Sequence, residues 1–336
     1  MSRLVVGACL SLTGRYSRFG RQAADGLKAW RALMGDDVEV RVEDDGSDPE
    51  RIAPGLKQLA TECDLLLGPY STQLMREAGR AIAELDRLLW NHGGSGDDVQ
   101  AACPGRIVSV LAPTSRYAAP FVRARAAEPE RTPLWVVRGR GRFGRQVSLG
   151  AITEAERLGI EALEASTDED HWLEKVPDVW ELLSAGVFED DVAIVKQARS
   201  ARRPPRAVCS IAAGVRDFAS MVEDPDGVFG IAQWFPGRDP QAELGPNERD
   251  FVAAYQSLAG AWPDYPAVQA AAGAVVAAHC AEIAGSVRSD ALWAAAIELQ
   301  ATTLFGPFGI DRETGAQTSQ TPVLICWRGG VQQLVR

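Results

Sequence analysis

Residues 64–99, DLLLGPYSTQLMREAGRAIAELDRLLWNHGGSGDDV, restrict the fold more than any other part of the chain. Leu65, Leu66 and Leu67 make a continuous apolar run with Gly68-Pro69 directly behind it, the pattern of a parallel strand buried on both faces. Leu74, Ala78, Ile82 and Leu85 then recur at helical spacing, and Ser71 or Thr72 stands where a helix needs its N-cap. A second apolar run ends in His92-Gly93-Gly94-Ser95. Such a strand, turn, helix, strand unit stops two strands at one edge, where the first helical turns expose unpaired backbone N–H groups. Small residues there let a carboxylate or amide reach the main chain, so Ser71 and Ser95 are candidate ligand contacts. Taken singly, Ser71 reads equally well as a cap, and Gly93, Gly94, Ser95 and Gly96 as a turn.

The alternation extends over most of the chain. Residues 3–12, 38–43, 107–111, 134–137, 179–183, 207–211 and 228–232 read as strands, and 21–34 and 49–62 as helices. This predicts an α/β fold of largely parallel sheets flanked by helices. From Asn247 three helical runs follow, 248–260, 267–284 and 290–300, and the Ala-rich, nearly uncharged middle one has the composition of a buried helix. Gly306-Pro307-Phe308-Gly309 reads as a turn, and 323–327 with 331–335 as a hairpin around Arg328-Gly329-Gly330. At 336 residues the chain exceeds what one core usually serves, which predicts two lobes. Pro113-Thr114 and the Pro- and Gly-rich 236–246 are the best crossing points. The expected lobes are 1–113 with 238–305, and 114–237 with 306–336, both discontinuous.

Composition removes several functions. A formal net charge of -10 argues against binding to nucleic acid or to an anionic membrane. No run approaches the roughly 18 consecutive apolar residues of a membrane span, so no membrane insertion is expected. The six cysteines are scattered without a CxxC pair, and the three histidines lie far apart, so neither metal nor redox chemistry is favoured. Gly139, Gly141 and Gly144 match GxGxxG behind the strand LWVV, but the acid due about twenty residues on has no clear candidate, although Glu161 and Glu164 are in range. His92-Gly93-Gly94 is similar to an esterase oxyanion segment, yet no GxSxG elbow supplies a nucleophile. No cofactor and no catalysis are therefore expected; a nucleotide-dependent enzyme using 139–144 is the enzymatic alternative. Met1-Ser2-Arg3 runs directly into LVVGACLSL without export-signal regions. That predicts a cytoplasmic protein if the chain is complete, and an extracytoplasmic one otherwise.

Taken in order, these segments resemble the type I periplasmic binding proteins, in the branch that binds branched-chain amino acids and related small molecules. LSLTGRYSRFGRQAADGLKAW resembles that family's first strand and loop, LLLGPYST its second ligand loop and LLWNHGGSGDDV its third. LWVVRGRGRFGRQ is similar to the strand and turn that open the second lobe, and DVWELLSAGVFEDDVAIVKQAR and FGPFGIDRETGAQ complete the series. The resemblance implies two α/β lobes joined by three crossovers, with a small molecule held in the cleft between them by hinge closure. It places contacts to a ligand carboxylate on Ser71, Thr72, Gly93 and Ser95, beside Tyr70, His92 and Gly94. It places aromatic groups at Phe19 and Phe188; Arg140, Phe143 and Ala213 complete the candidate set. Where amino-acid binders of the family carry an acid for the ligand ammonium, AVCSIAAG offers only Ala212 or Ala213, unless Glu189 or Asp190 turns inward. A carboxylate, amide or mainly apolar ligand is therefore expected over an ordinary α-amino acid. The implied function is solute capture for an ABC permease, with a cytoplasmic sensor acting on a regulatory partner protein as the alternative.

Overall fold

The computed structural model describes residues 3–169, 171–238 and 240–335; Met1 and Ser2, on which the reading of the N-terminus rests, lie outside them. The chain forms two compact units, 1–112 with 236–320 and 113–235 with 321–336.

The first unit begins β1 (Leu4–Leu10), α1 (Ser17–Met34), β2 (Val38–Asp44), α2 (Pro49–Glu62), β3 (Leu65–Leu67), α3 (Thr72–Ile82), β4 (Leu89–Asn91) and β5 (Ile107–Ser109). All five strands are parallel, in the order β2-β1-β3-β4-β5. Leu65, Leu66 and Leu67 are buried without exception, as a strand covered on both faces requires. Asp48 caps α2 by accepting from Glu50 N at 3.0 Å, and Pro49 at the first helical position has no N–H to lose there.

The second unit holds α4 (Ala119–Ala126), β6 (Leu134–Arg138), α5 (Gly141–Leu158), β7 (Ala162–Ser166), β8 (Glu181–Ala185), α6 (Phe188–Arg199), β9 (Val208–Ser210), α7 (Phe218–Met221) and β10 (Val228–Ala232). The chain then returns to the first unit for α8 (Glu248–Ala259), α9 (Tyr265–Ala284), α10 (Ser289–Glu298), β11 (Ala301–Thr303) and β12 (Gly306–Phe308). It ends in the second unit with β13 (Val323–Arg328) and β14 (Val331–Leu334). The second sheet runs β14-β13-β10-β9-β8-β6-β7, parallel except for β13 and β14. Gly329 and Gly330 make the expected hairpin turn with φ of 60° and 72°, and Asp226 accepts from both of their N–H groups.

Several expectations need correction. The last crossing falls at 320/321 instead of 305/306, because residues 306–320 are bonded into the first unit: Ser109 N donates to Gly315 O at 3.0 Å and Gln317 Nε2 to Val110 O at 3.2 Å. Gly306-Pro307-Phe308 is a strand paired with β11, and the turn lies before it at Leu304-Phe305. Pro307 is tolerated because this two-stranded ribbon has a free edge. The strand expected at 179–183 is displaced to Glu181–Ala185. A charge reads as surface in sequence, but Glu181 is buried and meets Arg125 of α4 through three hydrogen bonds of 2.6 to 2.9 Å. Finally, α9 is long and apolar enough to cross a membrane by length and composition, although Gln269, His279 and Glu282 interrupt its apolar residues, so the expected absence of an unbroken 18-residue run holds. The helix is mostly buried, packing on β3 and β4 and against α1 and α10, so its apolar circumference is that of a core helix.

The Arg125–Glu181 pair generates a prediction. Arg125→Leu strands a buried carboxylate and is expected to cost about 3 to 5 kcal/mol, whereas adding Glu181→Leu restores most of that loss. Urea denaturation of the single and double variants measures both.

Candidate functional site

In the first unit the strand order reverses between β1 and β3. The helix after β1 packs with α8 and α9, while α3 packs with α2, so the loops leaving the two strands diverge and open a crevice at their carboxyl ends. Phe19 of α1 and Tyr70 of the β3–α3 loop meet across that crevice, their rings stacked at 4.5 Å and 10°. Tyr265, the first residue of α9, brings its hydroxyl within 3.4 Å of the Tyr70 hydroxyl.

Ser71 follows Tyr70 in a conformation rare for any residue but glycine, with φ 97° and ψ 144°. Its Oγ caps α3 by accepting from Leu74 N at 3.3 Å, and its N–H donates to Gly93 O at 3.0 Å. Behind it Thr72 and Gln73 begin α3, with first-turn N–H groups that have no intrahelical acceptor. Neither α1 nor α3 carries an acid in its first turn, so the positive ends of both helices stay unneutralised by their own side chains.

The loop after β4 is built by a residue absent from the expected set, Asn91. Its Oδ1 accepts from Gly93 N (3.1 Å) and Gly94 N (2.8 Å), and its Nδ2 donates to Gly94 O and to Ser109 Oγ, both at 2.7 Å. The N–H groups of Gly93 and Gly94 thus hold the loop's shape instead of offering themselves to a ligand. These residues must be glycine because the loop lies against its neighbour: a Cβ on Gly93 would stand 2.5 Å from Tyr70 Cα, and one on Gly94 would strike the Met75 side chain. Thr72 Oγ1 accepts from Gly96 N at 2.9 Å, and Arg76 pairs with Asp98 at 2.5 Å. His92 is fully buried with no hydrogen-bond partner on either nitrogen among the described residues. Burial pushes its imidazole down to about 4.

The structure therefore brings Phe19, Tyr70, Ser71, Thr72, Gly93, Gly94 and Ser95 to one edge, and sets His92 beneath it as a neutral core group. Asn91 was hidden as the last residue of an apolar run, and Tyr265, 195 positions from Tyr70, carries no local signal that links it to this edge.

In the second unit the order reverses again, between β6 and β8. Arg140 stands there but its guanidinium pairs with Asp168 at 3.1 Å. Phe188 opens α6 and is largely buried, while Phe143 packs edge-on against Tyr117 at 5.9 Å on the unit's core. Ala213 is enclosed, its carbonyl accepting from Trp327 Nε1 (2.9 Å) and Gln332 Nε2 (3.0 Å), so its side chain lines nothing open. Two of the GxGxxG glycines serve packing, since a Cβ on Gly139 would stand 2.6 Å from Gly186 Cα and one on Gly144 2.6 Å from Ala185 O, while Gly141 opens α5 with a φ of 85°. The acid that reaches the end of β9 is neither Glu189 nor Asp190 but Asp191. Its carboxylate accepts from Ser184 Oγ (2.6 Å), Gly186 N (2.7 Å), Ala212 N (2.9 Å) and Ser210 Oγ (3.1 Å). Burial pushes this carboxyl up to about 7, and the four donors work against that shift. In sequence it reads as one of three solvated acids opening a helix.

A family model described as periplasmic binding protein matches residues 4–325. No curated protein matches the chain. Among solved structures, a leucine binding protein, LivK, from Thermotoga maritima superposes with a TM-score of 0.82 at 15% identity, covering 99% of this chain and 98% of its own. The branched-chain amino acid transporter substrate binding protein LivJ of Streptococcus pneumoniae, in complex with isoleucine, gives 0.79 at 14%, covering 99% of each chain. An ABC transporter solute binding protein from Rhodopseudomonas palustris, in complex with p-hydroxybenzoic acid, gives 0.81 at 18%, covering 98% and 95%.

Two predictions test this geometry. Ser71→Gly relieves about 1 to 3 kcal/mol of backbone strain, less a few tenths for the cap and the freedom glycine adds to the unfolded chain, for a net gain of roughly 1 kcal/mol. Ser71→Ala keeps the strain, loses the cap and is expected to cost about 1 kcal/mol; losses of equal size in both variants would remove the claim of strain. For His92, the unfolded chain takes up a proton near 6.5 and the folded one only near 4. The contribution is therefore present above pH 6.5 and declines as pH falls towards 4, by on the order of 3 kcal/mol in total. In His92→Gln that part of the acid slope should vanish from the urea midpoints.

Proposed function

The chain belongs to the periplasmic binding protein family, and on that premise we propose that it is the solute-binding component of an ABC importer whose solute is a small carboxylate, an aromatic acid in preference to an α-amino acid. The Ser71 corner carries this reading: a hydroxyl and the first turn of an acid-free helix at a strand-order reversal form a receiver for a carboxylate, beside a stacked pair of aromatic rings. Backbone N–H groups and the positive helix end favour an anion there, and the Phe19–Tyr70 pair offers flat apolar surface to a ring.

Both leucine or isoleucine and p-hydroxybenzoic acid are named with structural relatives of this chain, so the fold accommodates either class. The disposition of acids favours the second. A ligand ammonium enclosed without a counter-charge loses several kcal/mol, comparable with truncating one member of a buried charge pair, out of only about 8 kcal/mol for a micromolar complex. Asp191, which accepts from Ala212 N in the AVCSIAAG segment, already holds four donors. The family's description supports an extracytoplasmic place of work and an importer permease as the partner, in preference to a cytoplasmic sensor with a regulatory partner.

A thermal-shift and calorimetric panel of leucine, isoleucine, benzoate and 4-hydroxybenzoate tests the reading. A ligand at 100 times its Kd stabilises the fold by about 2.7 kcal/mol. Stabilisation by the aromatic acids, with Ser95→Ala weakening them by about 0.5 to 3 kcal/mol, is the expected result. Stabilisation by leucine or isoleucine alone would overturn the preference for aromatic acids.

A further inference from the structure

We infer that Tyr265 is a specificity-determining residue, which together with Tyr70 forms a two-hydroxyl reader for a ring hydroxyl on the ligand; this rests on the proposal that an aromatic acid binds at the Ser71 corner. Tyr265 comes from the start of α9, is partly buried, and reaches the first-unit crevice only because α9 packs on β3 and β4. Its oxygen stands 3.4 Å from that of Tyr70, long for a hydroxyl–hydroxyl bond, for which about 2.7 to 2.8 Å is usual. Two oxygens so spaced can both be reached by a third that lies at ordinary hydrogen-bond distance from each, because a hydroxyl can take part in more than one hydrogen bond at a time.

The chemistry of the third oxygen follows from the position of Tyr70. Tyr70 adjoins Ser71 in the chain, so its side chain leads from the carboxylate receiver to the Tyr265 hydroxyl. A 4-hydroxybenzoate is a tyrosine ring with a carboxylate in place of its Cβ. Laid beside Tyr70 with its carboxylate at Ser71 and the first turn of α3, it carries its para hydroxyl to the level of the Tyr70 and Tyr265 oxygens. Phe19 covers one face of Tyr70, and Gly93 fixes Tyr70 from the backbone side, so the phenol cannot swing away without disturbing both. A para hydroxyl that meets the pair gains hydrogen bonds that an unsubstituted ring lacks.

The test is calorimetric titration of the full chain and of Tyr265→Phe with benzoate and 4-hydroxybenzoate as probes. Wild type should prefer 4-hydroxybenzoate, and Tyr265→Phe should weaken that acid by roughly three- to tenfold, the worth of one hydrogen bond, while leaving benzoate within about twofold. Ser71→Ala should weaken both acids alike. If wild type binds both acids and Tyr265→Phe affects neither, or both equally, the role of Tyr265 is overturned and the carboxylate corner stands. If wild type binds neither acid, the aromatic-acid reading falls and this one with it.

Discussion

The reversal of strand order between β1 and β3 is the constraint on which the first unit's site depends. Parallel strands connected by right-handed crossovers send successive helices to one face until the order reverses. At that point two neighbouring strands release their chains to opposite faces, and no connection covers the gap between them. Phe19, in the first turn of α1, and Tyr70, on the β3–α3 loop, meet there, so the aromatic pair exists only because of the topology. The polar groups beside it are backbone N–H groups at a helix start, placed by the strand end in front of them.

A receiver made of backbone is only as good as its rigidity, and most of the local bonding is spent on that. Asn91 closes the 93–94 turn with both ends of its amide, Thr72 and Arg76 tie α3 to residues 96–98, and Ser71 N bonds to Gly93 O. This mesh holds Ser71 at a φ of 97°, which a loose loop would relax. Burial of a neutral His92 under the same loop adds a group that resists protonation, so the corner's stability is coupled to acid. Several small local costs are thus concentrated at one edge, where the surrounding structure over-determines the geometry.

The second unit repeats the strand order with different furniture. Its reversal, between β6 and β8, is crowded by Gly139 against Gly186, and an acid that would otherwise face outward is consumed internally by four donors. The glycine pattern that resembles a dinucleotide turn is explained by close backbone packing at Gly139 and Gly144 and by the positive φ of Gly141. Arg140, a member of the candidate set, is paired with Asp168. A motif's spacing reports that a strand turns sharply into a helix; whether a phosphate or another strand end fills the space is settled by packing.

The sequence by itself determined the α/β class, two units, the strand–turn–helix at residues 65–82 and a cap at Ser71 or Thr72, because each rests on local periodicity or on one residue's bonding to its own backbone. Helices α2 and α9 and the Gly329-Gly330 hairpin were legible for the same reason. Tertiary structure alone decided the rest. Glu181 lies inside a strand because Arg125, 56 positions away, neutralises it, and β12 is a strand because β11 pairs with it. Residues 306–320 belong to the first unit through bonds to Ser109 and Val110 that no composition signals. Gly93 and Gly94 read in sequence as ligand contacts, but Asn91 claims their N–H groups. Tyr265 and Asp191 were missed because their partners are distant in the chain or in another element. Local order is written in neighbours along the sequence, whereas which polar groups remain available to a ligand depends on every partner that folding brings within hydrogen-bond reach.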